Sequence, residues 1–172
     1  MSILNGSELL LQISELSVAF AGFAGIGTAL GEHINPKERQ VDAGRLTNML
    51  IVSLSTAMLA LVPFIPTLFG LEESSAWRIA GVSALMVMAV FLPGIAMRAK
   101  RMKRYAGYST RRNVISFGLA AFAASSFLSC ALGFPLHHPS ATYILGLAAL
   151  LLISSILFFS VIVSFLRPHA PD

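Results

Sequence analysis

Five long apolar stretches dominate the pattern of hydrophobic and polar positions along this chain. They cover residues 9–30, 46–71, 77–97, 114–133 and 141–166. Each stretch has about the 20 residues that an α-helix needs to cross roughly 30 Å of membrane hydrocarbon. The pattern therefore predicts an all-α polytopic membrane protein, with a single transmembrane domain over residues 1–172 built as a bundle of five transmembrane helices.

The first apolar stretch is interpreted as a retained helix rather than a cleaved signal peptide. Residues 1–8 contain no Lys or Arg, whereas a signal peptide begins with a positively charged segment. The stretch is also longer than the apolar core of a signal peptide. We therefore count it as the first of the five crossings.

The composition favours a membrane protein over the other broad classes. Hydrophobic residues make up 56% of the chain, charged residues make up 12%, and the mean hydropathy is +0.78. A soluble domain usually carries about 25% charged residues, and disordered chains are poor in apolar residues. The single cysteine, Cys130, excludes an intramolecular disulfide.

Basic residues concentrate in the loops that five crossings place on one side of the membrane. Of the 12 Lys and Arg residues, all but Arg78 lie between the first two stretches, between the third and fourth, or after the fifth. Cytoplasmic loops of membrane proteins carry an excess of Lys and Arg. The predicted topology places the N-terminus outside and the C-terminus inside, and the expected location is the bacterial cytoplasmic (inner) membrane.

Glu15 is the acidic residue within the apolar stretches, and Gln12 lies almost one helical turn before it. A charged side chain at the centre of a membrane helix costs on the order of 3 kcal/mol. Glu15 is nearer the outer end of its stretch. There it forms a polar or ion-binding site, or it lies at headgroup level, or Arg78 neutralises it at the outer surface. In the second stretch, Asn48 and Thr56 are further polar candidates for such a site.

Prolines interrupt two of the apolar stretches. Pro63 and Pro66 lie three residues apart in the second stretch, and Pro93 precedes Gly94 near the inner end of the third. Proline removes a backbone N–H donor and kinks or breaks a helix. These four residues are hinge candidates, and a bent helix end at the membrane interface is the alternative interpretation.

Small residues recur at helical spacing in the first and fourth stretches. Ala21 and Gly25 lie four residues apart, as do Ala120 and Ala124. Such spacing lets helix backbones approach closely in lipid, where packing drives association. We predict that these positions pack against other helices, either within the chain's own bundle or at the seam of a homo-oligomer.

Residues 98–112 form the most basic segment of the chain. The candidates for lipid or partner binding in this segment are Arg98, Lys100, Arg101, Lys103, Arg104, Arg111 and Arg112. Each basic residue near an anionic leaflet contributes about 1 kcal/mol to membrane attraction. We expect contact with anionic headgroups of the lipid bilayer or with a cytoplasmic partner, although topology alone also explains the charges. No nucleic-acid module occurs, so nucleic acid is not an expected partner.

The chain contains none of the common catalytic or cofactor-binding motifs. A P-loop, a Rossmann glycine signature, an HExxH motif and a GxSxG motif are all missing from the sequence. His137 and His138 are adjacent, and adjacent side chains rarely converge on one metal ion. A haem between helices needs histidines inside the apolar stretches, and none lies there. We therefore expect no metal, no cofactor and no enzymatic activity.

Two functions fit these features. The first is an oligomeric channel or transport protein with a polar outer site at Glu15, because five helices with so few polar residues need several subunits to line a pore. The second is a non-conducting accessory or scaffold subunit of a membrane complex, whose basic loop contacts anionic lipid or a partner. A membrane enzyme acting on lipid is a third and less supported interpretation.

Overall fold

The computed structural model describes residues 6–30, 36–102, 110–134 and 139–165. In these ranges the chain is helical apart from short turns. The helices, in chain order, are α1 (Ser7–Leu30), α2 (Pro36–Leu61), α3 (Phe64–Leu68), α4 (Glu73–Met102), α5 (Thr110–Leu132) and α6 (Pro139–Phe165). The all-helical prediction is confirmed for this part of the chain.

Five helical segments of the described chain are long and apolar enough to cross a membrane. They are Ser7–Gly27, Ala43–Leu68, Glu73–Lys100, Thr110–Leu132 and Pro139–Val163. Each coincides with one of the five apolar stretches in the sequence. Helices of this length and composition are typical of a multi-pass membrane protein.

Two helices extend well beyond their apolar stretches. Helix α2 begins at Pro36, before the apolar stretch that starts at residue 46, and α4 continues to Met102, past residue 97. Hydropathy marks the part of a helix that lies in hydrocarbon, whereas the backbone hydrogen bonds continue until a residue breaks them. Pro36 and Pro139 each occupy a first helical position, where the missing N–H has no helical partner to lose.

Helix α6 is the centre of the bundle. It contacts α1, α2, α4 and α5, and it is the most apolar of the five spans. A helix that is hydrophobic on all sides is typical of one surrounded by other helices. Its neighbour α2 is equally buried, and Ser53 of α2 hydrogen-bonds to Ser154 of α6 at 3.1 Å between the hydroxyl oxygens. Helices α1, α4 and α5 lie more to the outside.

An aromatic cluster joins four helices at one end of the bundle. The ring of Tyr143 lies 5.7 Å from that of Trp77 and 5.3 Å from that of Phe127, measured between centroids, and all three side chains are fully buried. The hydroxyl of Tyr143 donates to the carbonyl oxygen of Leu59 at 2.7 Å. Because a buried hydroxyl needs an acceptor, this bond fixes α6 against the end of α2.

Two glycines permit the closest helix approaches near the aromatic cluster. A Cβ atom on Gly81 would lie 2.8 Å from the backbone nitrogen of Ala131, and one on Gly146 would lie 2.6 Å from the ring of Phe127. Real side chains do not tolerate such distances. Helix α4 therefore packs backbone to backbone on α5 at Gly81, and α6 receives the Phe127 ring at Gly146.

The four small residues singled out in the sequence lie in different environments. Ala21 and Ala120 are buried, Ala124 is partly buried and Gly25 is exposed. A Cβ atom added to Gly25 would meet nothing within 4 Å. The small residues of α1 are thus divided between a face inside the bundle and a face outside it.

The proline sites also differ from each other. Helix α2 ends at Leu61 and the chain turns at Pro63, whereas Pro66 lies buried inside the short helix α3. Helix α4, in contrast, continues through Pro93 and Gly94 without a break. Only the first proline site therefore interrupts the helix in which it lies.

Candidate functional site

Glu15 lies on the outside of α1, deep within the helix. The residue is exposed, and it is about 5 Å from the helix midpoint and about 12 Å from the first residue, at 1.5 Å per residue. A glutamate side chain is too short to cover about 12 Å. If α1 is centred in the bilayer, the carboxylate therefore lies at hydrocarbon depth, where a charge costs on the order of 3 kcal/mol.

The residues around Glu15 form an outward face of α1 with polar and small side chains. Gln12 lies three positions before Glu15, Ala19 lies four positions after it, and Gly22 follows three positions after Ala19. All of these residues are exposed. A Cβ atom added to Gly22 would meet nothing within 4 Å. We call these four residues the Glu15 face. The opposite side of α1 packs on α2 and α6.

Arg78 does not lie beside Glu15. Its guanidinium group lies against Gly133 at the end of α5, where a Cβ atom would come within 2.8 Å of an Arg78 nitrogen. Gly133 has a φ of +76°, which favours glycine on conformational grounds as well. Arg78 therefore places its positive charge at the junction of α4 and α5.

The other two polar candidates lie inside the bundle, away from the Glu15 face. Thr56 is fully buried and its hydroxyl donates to the carbonyl oxygen of Val52 at 2.8 Å, within its own helix. Asn48 is only 7% exposed, and its side-chain oxygen has no hydrogen-bond partner in the described chain. The structure therefore separates Gln12 and Glu15 from Asn48 and Thr56.

Asn48 lines a cavity of about 100 Å³ between α2, α4, α5 and α6. Polar side chains occupy one end of this cavity, which we call the Arg112 end. They are Arg45, Asn48, Arg112, Asn113 and Ser116. Apolar side chains line most of the remainder. The cavity is thus polar at one end and apolar along its walls.

The Arg112 end combines two positive charges with two unpaired polar atoms. Arg45 is buried, and a nitrogen of the partly buried Arg112 donates to the hydroxyl of Ser160. The side-chain oxygens of Asn48 and Ser116 are buried without a hydrogen-bond partner in the described chain. An unsatisfied buried polar atom costs about 1–3 kcal/mol, so this end is suited to a polar ligand.

Sequence reasoning identified Asn48 and Arg112 but did not group them. The sequences of α2 and α5 nevertheless indicate which polar residues share a face. Arg45 lies three residues before Asn48 in α2, and Arg112 lies four residues before Ser116 in α5. Residues at these spacings share one helix face. The grouping depends on how α2 and α5 are rotated toward each other, and an all-round apolar pattern does not determine that rotation.

The other basic candidates of residues 98–112 have different positions. Arg98, Lys100 and Arg111 are exposed, and Lys100 lines a second cavity between α4 and α5 that shares Asn113 with the first. The side chain of Arg101 and the residues Lys103, Arg104, His137 and His138 lie outside what the structure describes. Within the described chain, no three His, Cys, Asp or Glu side chains group as a metal site.

Comparison with known proteins does not identify a family. The chain matches no protein-family model, no curated protein and no solved structure. The Glu15 face and the Arg112 end of the cavity are the two candidate sites of the described chain.

Proposed function

We propose that this chain is a multi-pass protein of the bacterial cytoplasmic membrane, with its N-terminus outside and its C-terminus inside. The distribution of basic residues supports this orientation. Arg45, Lys100 and Arg112 lie at one end of the bundle, and Arg78 lies toward the other, beside Gly133. The basic end then faces the anionic cytoplasmic leaflet, and its exposed side chains contact lipid headgroups.

The protein functions as an oligomeric transport protein in this proposal. The observation that supports it is Glu15, an exposed carboxylate near the middle of a helix that is apolar enough to span the membrane. Charged groups at this depth are rare and usually face a protein interior or a hydrated path. Assembly of several copies through the Glu15 face would remove the carboxylates from lipid.

The path for ions is proposed to run between copies rather than through one. Fully buried Trp77, Phe127 and Tyr143 fill the bundle at one end, and the cavity lies toward the other. The open space along Gly22 and Gly25 allows a second helix to approach α1 closely. Carboxylates from neighbouring copies would then bind protons or monovalent cations between the subunits.

Oxidative crosslinking tests this assembly. Gly22→Cys in a Cys130→Ala background is expected to form disulfide-linked dimers in native membranes, because a disulfide requires Cα atoms within about 7 Å. The measurement is the dimer fraction on a non-reducing gel after mild oxidation. Gly118→Cys is the matched control, since Gly118 is an exposed glycine of α5 with equally open space. Equal crosslinking of both variants, or none at Gly22, contradicts the proposal.

A non-conducting scaffold subunit is the second candidate function. The same observation favours it, since the Glu15 face also suits a helix from a different membrane protein. The crosslinking experiment separates the two when tagged and untagged copies are expressed together. Tagged chains linked to untagged chains support self-assembly, whereas a defined adduct of another mass supports a scaffold.

A further inference from the structure

The cavity between α2, α4, α5 and α6 has the layout of a binding site for an amphiphile. Its Arg112 end carries two guanidinium groups, whereas side chains such as Leu150, Ile153 and Leu157 line the apolar part. Its volume is about 100 Å³, and one water needs roughly 10–15 Å³ by the same kind of measure. The cavity therefore has room for a polar group and several methylene groups, but the rest of a lipid must lie outside it.

The charges at the Arg112 end favour an anion. Arg45 is buried and Arg112 is partly buried, and Lys100 lines the adjoining cavity that shares Asn113. Both arginines already have contacts within the protein, and a guanidinium group with five N–H donors can serve a further acceptor. No Asp or Glu occurs among the described residues that line either cavity. An anionic group would accept charge-assisted hydrogen bonds from these guanidinium groups in a low-dielectric setting.

The unpaired polar atoms at the same end favour a hydroxyl group as well. Asn48 is 7% exposed, lines the cavity and leaves its side-chain oxygen without a partner in the described chain. The buried hydroxyl oxygen of Ser116 likewise has no hydrogen-bond partner in the described chain. An alcohol both donates and accepts hydrogen bonds, so it can satisfy both side chains. A phosphodiester group supplies acceptors but lacks this donor.

The cavity opens between α4 and α5 toward the outside of the bundle. Phe91 of α4 and Phe117 of α5 both line it, and both are exposed, at 42% and 38%. In a membrane-spanning bundle, side chains on this outer surface face lipid. A bilayer lipid can therefore place a chain in the cavity from the side, with its headgroup at the basic end of the helices.

We propose that the cavity holds an anionic phospholipid with a hydroxyl-bearing headgroup, such as phosphatidylglycerol. The phosphate lies at Arg45 and Arg112, the headgroup hydroxyls lie at Asn48 and Ser116, and one acyl chain passes along the apolar wall and out between α4 and α5. The site is separate from the Glu15 face and does not depend on oligomer assembly.

Lipid retention by matched arginine variants tests the headgroup contact. Protein is purified in neutral detergent from nanodiscs of equal phosphatidylcholine and phosphatidylglycerol, and native mass spectrometry counts the retained lipids. Wild-type protein and Arg78→Gln should retain phosphatidylglycerol over phosphatidylcholine. In Arg112→Gln, the ratio of retained phosphatidylglycerol to retained phosphatidylcholine should fall by about tenfold, which is the effect of one charged hydrogen bond. Arg78 is the control because it is exposed, lies beside Gly133 away from both cavities, and its replacement removes the same charge.

A second pair of variants tests the acyl-chain contact without changing any charge. Val87→Phe fills the cavity, whereas Val90→Phe adds the same volume on an exposed part of α4. Only Val87→Phe should lower phosphatidylglycerol retention. The proposal is overturned if wild-type protein retains both lipids equally, or if the two variants of either matched pair lose equal amounts of phosphatidylglycerol. It is also overturned if inorganic phosphate displaces phosphatidylglycerol completely. Displacement by phosphate would identify a free-anion site instead.

Discussion

Replacing Glu15 by glutamine is expected to lower proton and monovalent-cation flux through proteoliposomes by about tenfold or more, the effect of removing one favourable ionic contact. The amide keeps the size of the side chain and removes its charge and its affinity for a cation. Glutamine is also less costly than a carboxylate at hydrocarbon depth, so the variant should insert and accumulate as well as wild type. The measurement is dye-reported flux under a fixed membrane potential.

Glu8→Gln provides the control for this experiment. Glu8 lies two helical turns before Glu15, is also exposed and lies in the first turn of α1, close to the membrane surface. Its replacement removes the same charge from nearly the same helix face. Flux should therefore remain close to wild type. Wild-type flux no greater than that of empty liposomes, or equal flux in both variants, contradicts the transport proposal.

Gly81→Ala is expected to destabilise the bundle by about 1–3 kcal/mol, the usual cost of overpacking a core. The new Cβ atom would lie 2.8 Å from the backbone nitrogen of Ala131 and 2.9 Å from the carbonyl oxygen of Phe127. Backbone atoms cannot rotate away as a flexible side chain does, so α4 and α5 must separate. The measurement is the midpoint of unfolding by sodium dodecyl sulfate in mixed micelles.

Gly118→Ala is the matched substitution for the stability test. Gly118 lies on α5, the helix that Gly81 contacts, but a Cβ atom there would meet nothing within 4 Å. Alanine also has a higher helix propensity than glycine. Its unfolding midpoint should equal or exceed that of wild type. A Gly81→Ala midpoint equal to that of Gly118→Ala would mean that α4 and α5 are not in the close contact described above.

The fold was predictable from sequence because lipid imposes strict conditions on a chain. A spanning helix needs about 20 apolar residues, and the five stretches met that condition clearly. Helix ends were less predictable. Hydropathy does not register the polar residues that continue α2 back to Pro36 or α4 on to Met102. The different outcomes at Pro63 and Pro93 also depend on tertiary packing, which the proline signal does not contain.

The candidate sites were only partly predictable. Glu15 was recognisable from its charge alone, but the outward direction of its face was not, because α1 is apolar on nearly all sides. Asn48 was grouped with Glu15 as a polar residue of the membrane, whereas it lies with Arg112 in the cavity. That grouping follows from the rotation and crossing of four helices. The sequence pattern of each helix alone does not determine either quantity.

Accessibility of two engineered cysteines tests the proposed topology most directly. Ser74 lies in the first turn of α4 and Thr110 begins α5, and both are exposed at opposite ends of the span that joins them. In a Cys130→Ala background, a membrane-impermeant maleimide applied to intact cells should label Ser74→Cys. It should label Thr110→Cys only after the membrane is permeabilised. Equal labelling of both positions in intact cells, or labelling of Thr110→Cys alone, would contradict a chain that crosses the membrane five times with its basic end in the cytoplasm.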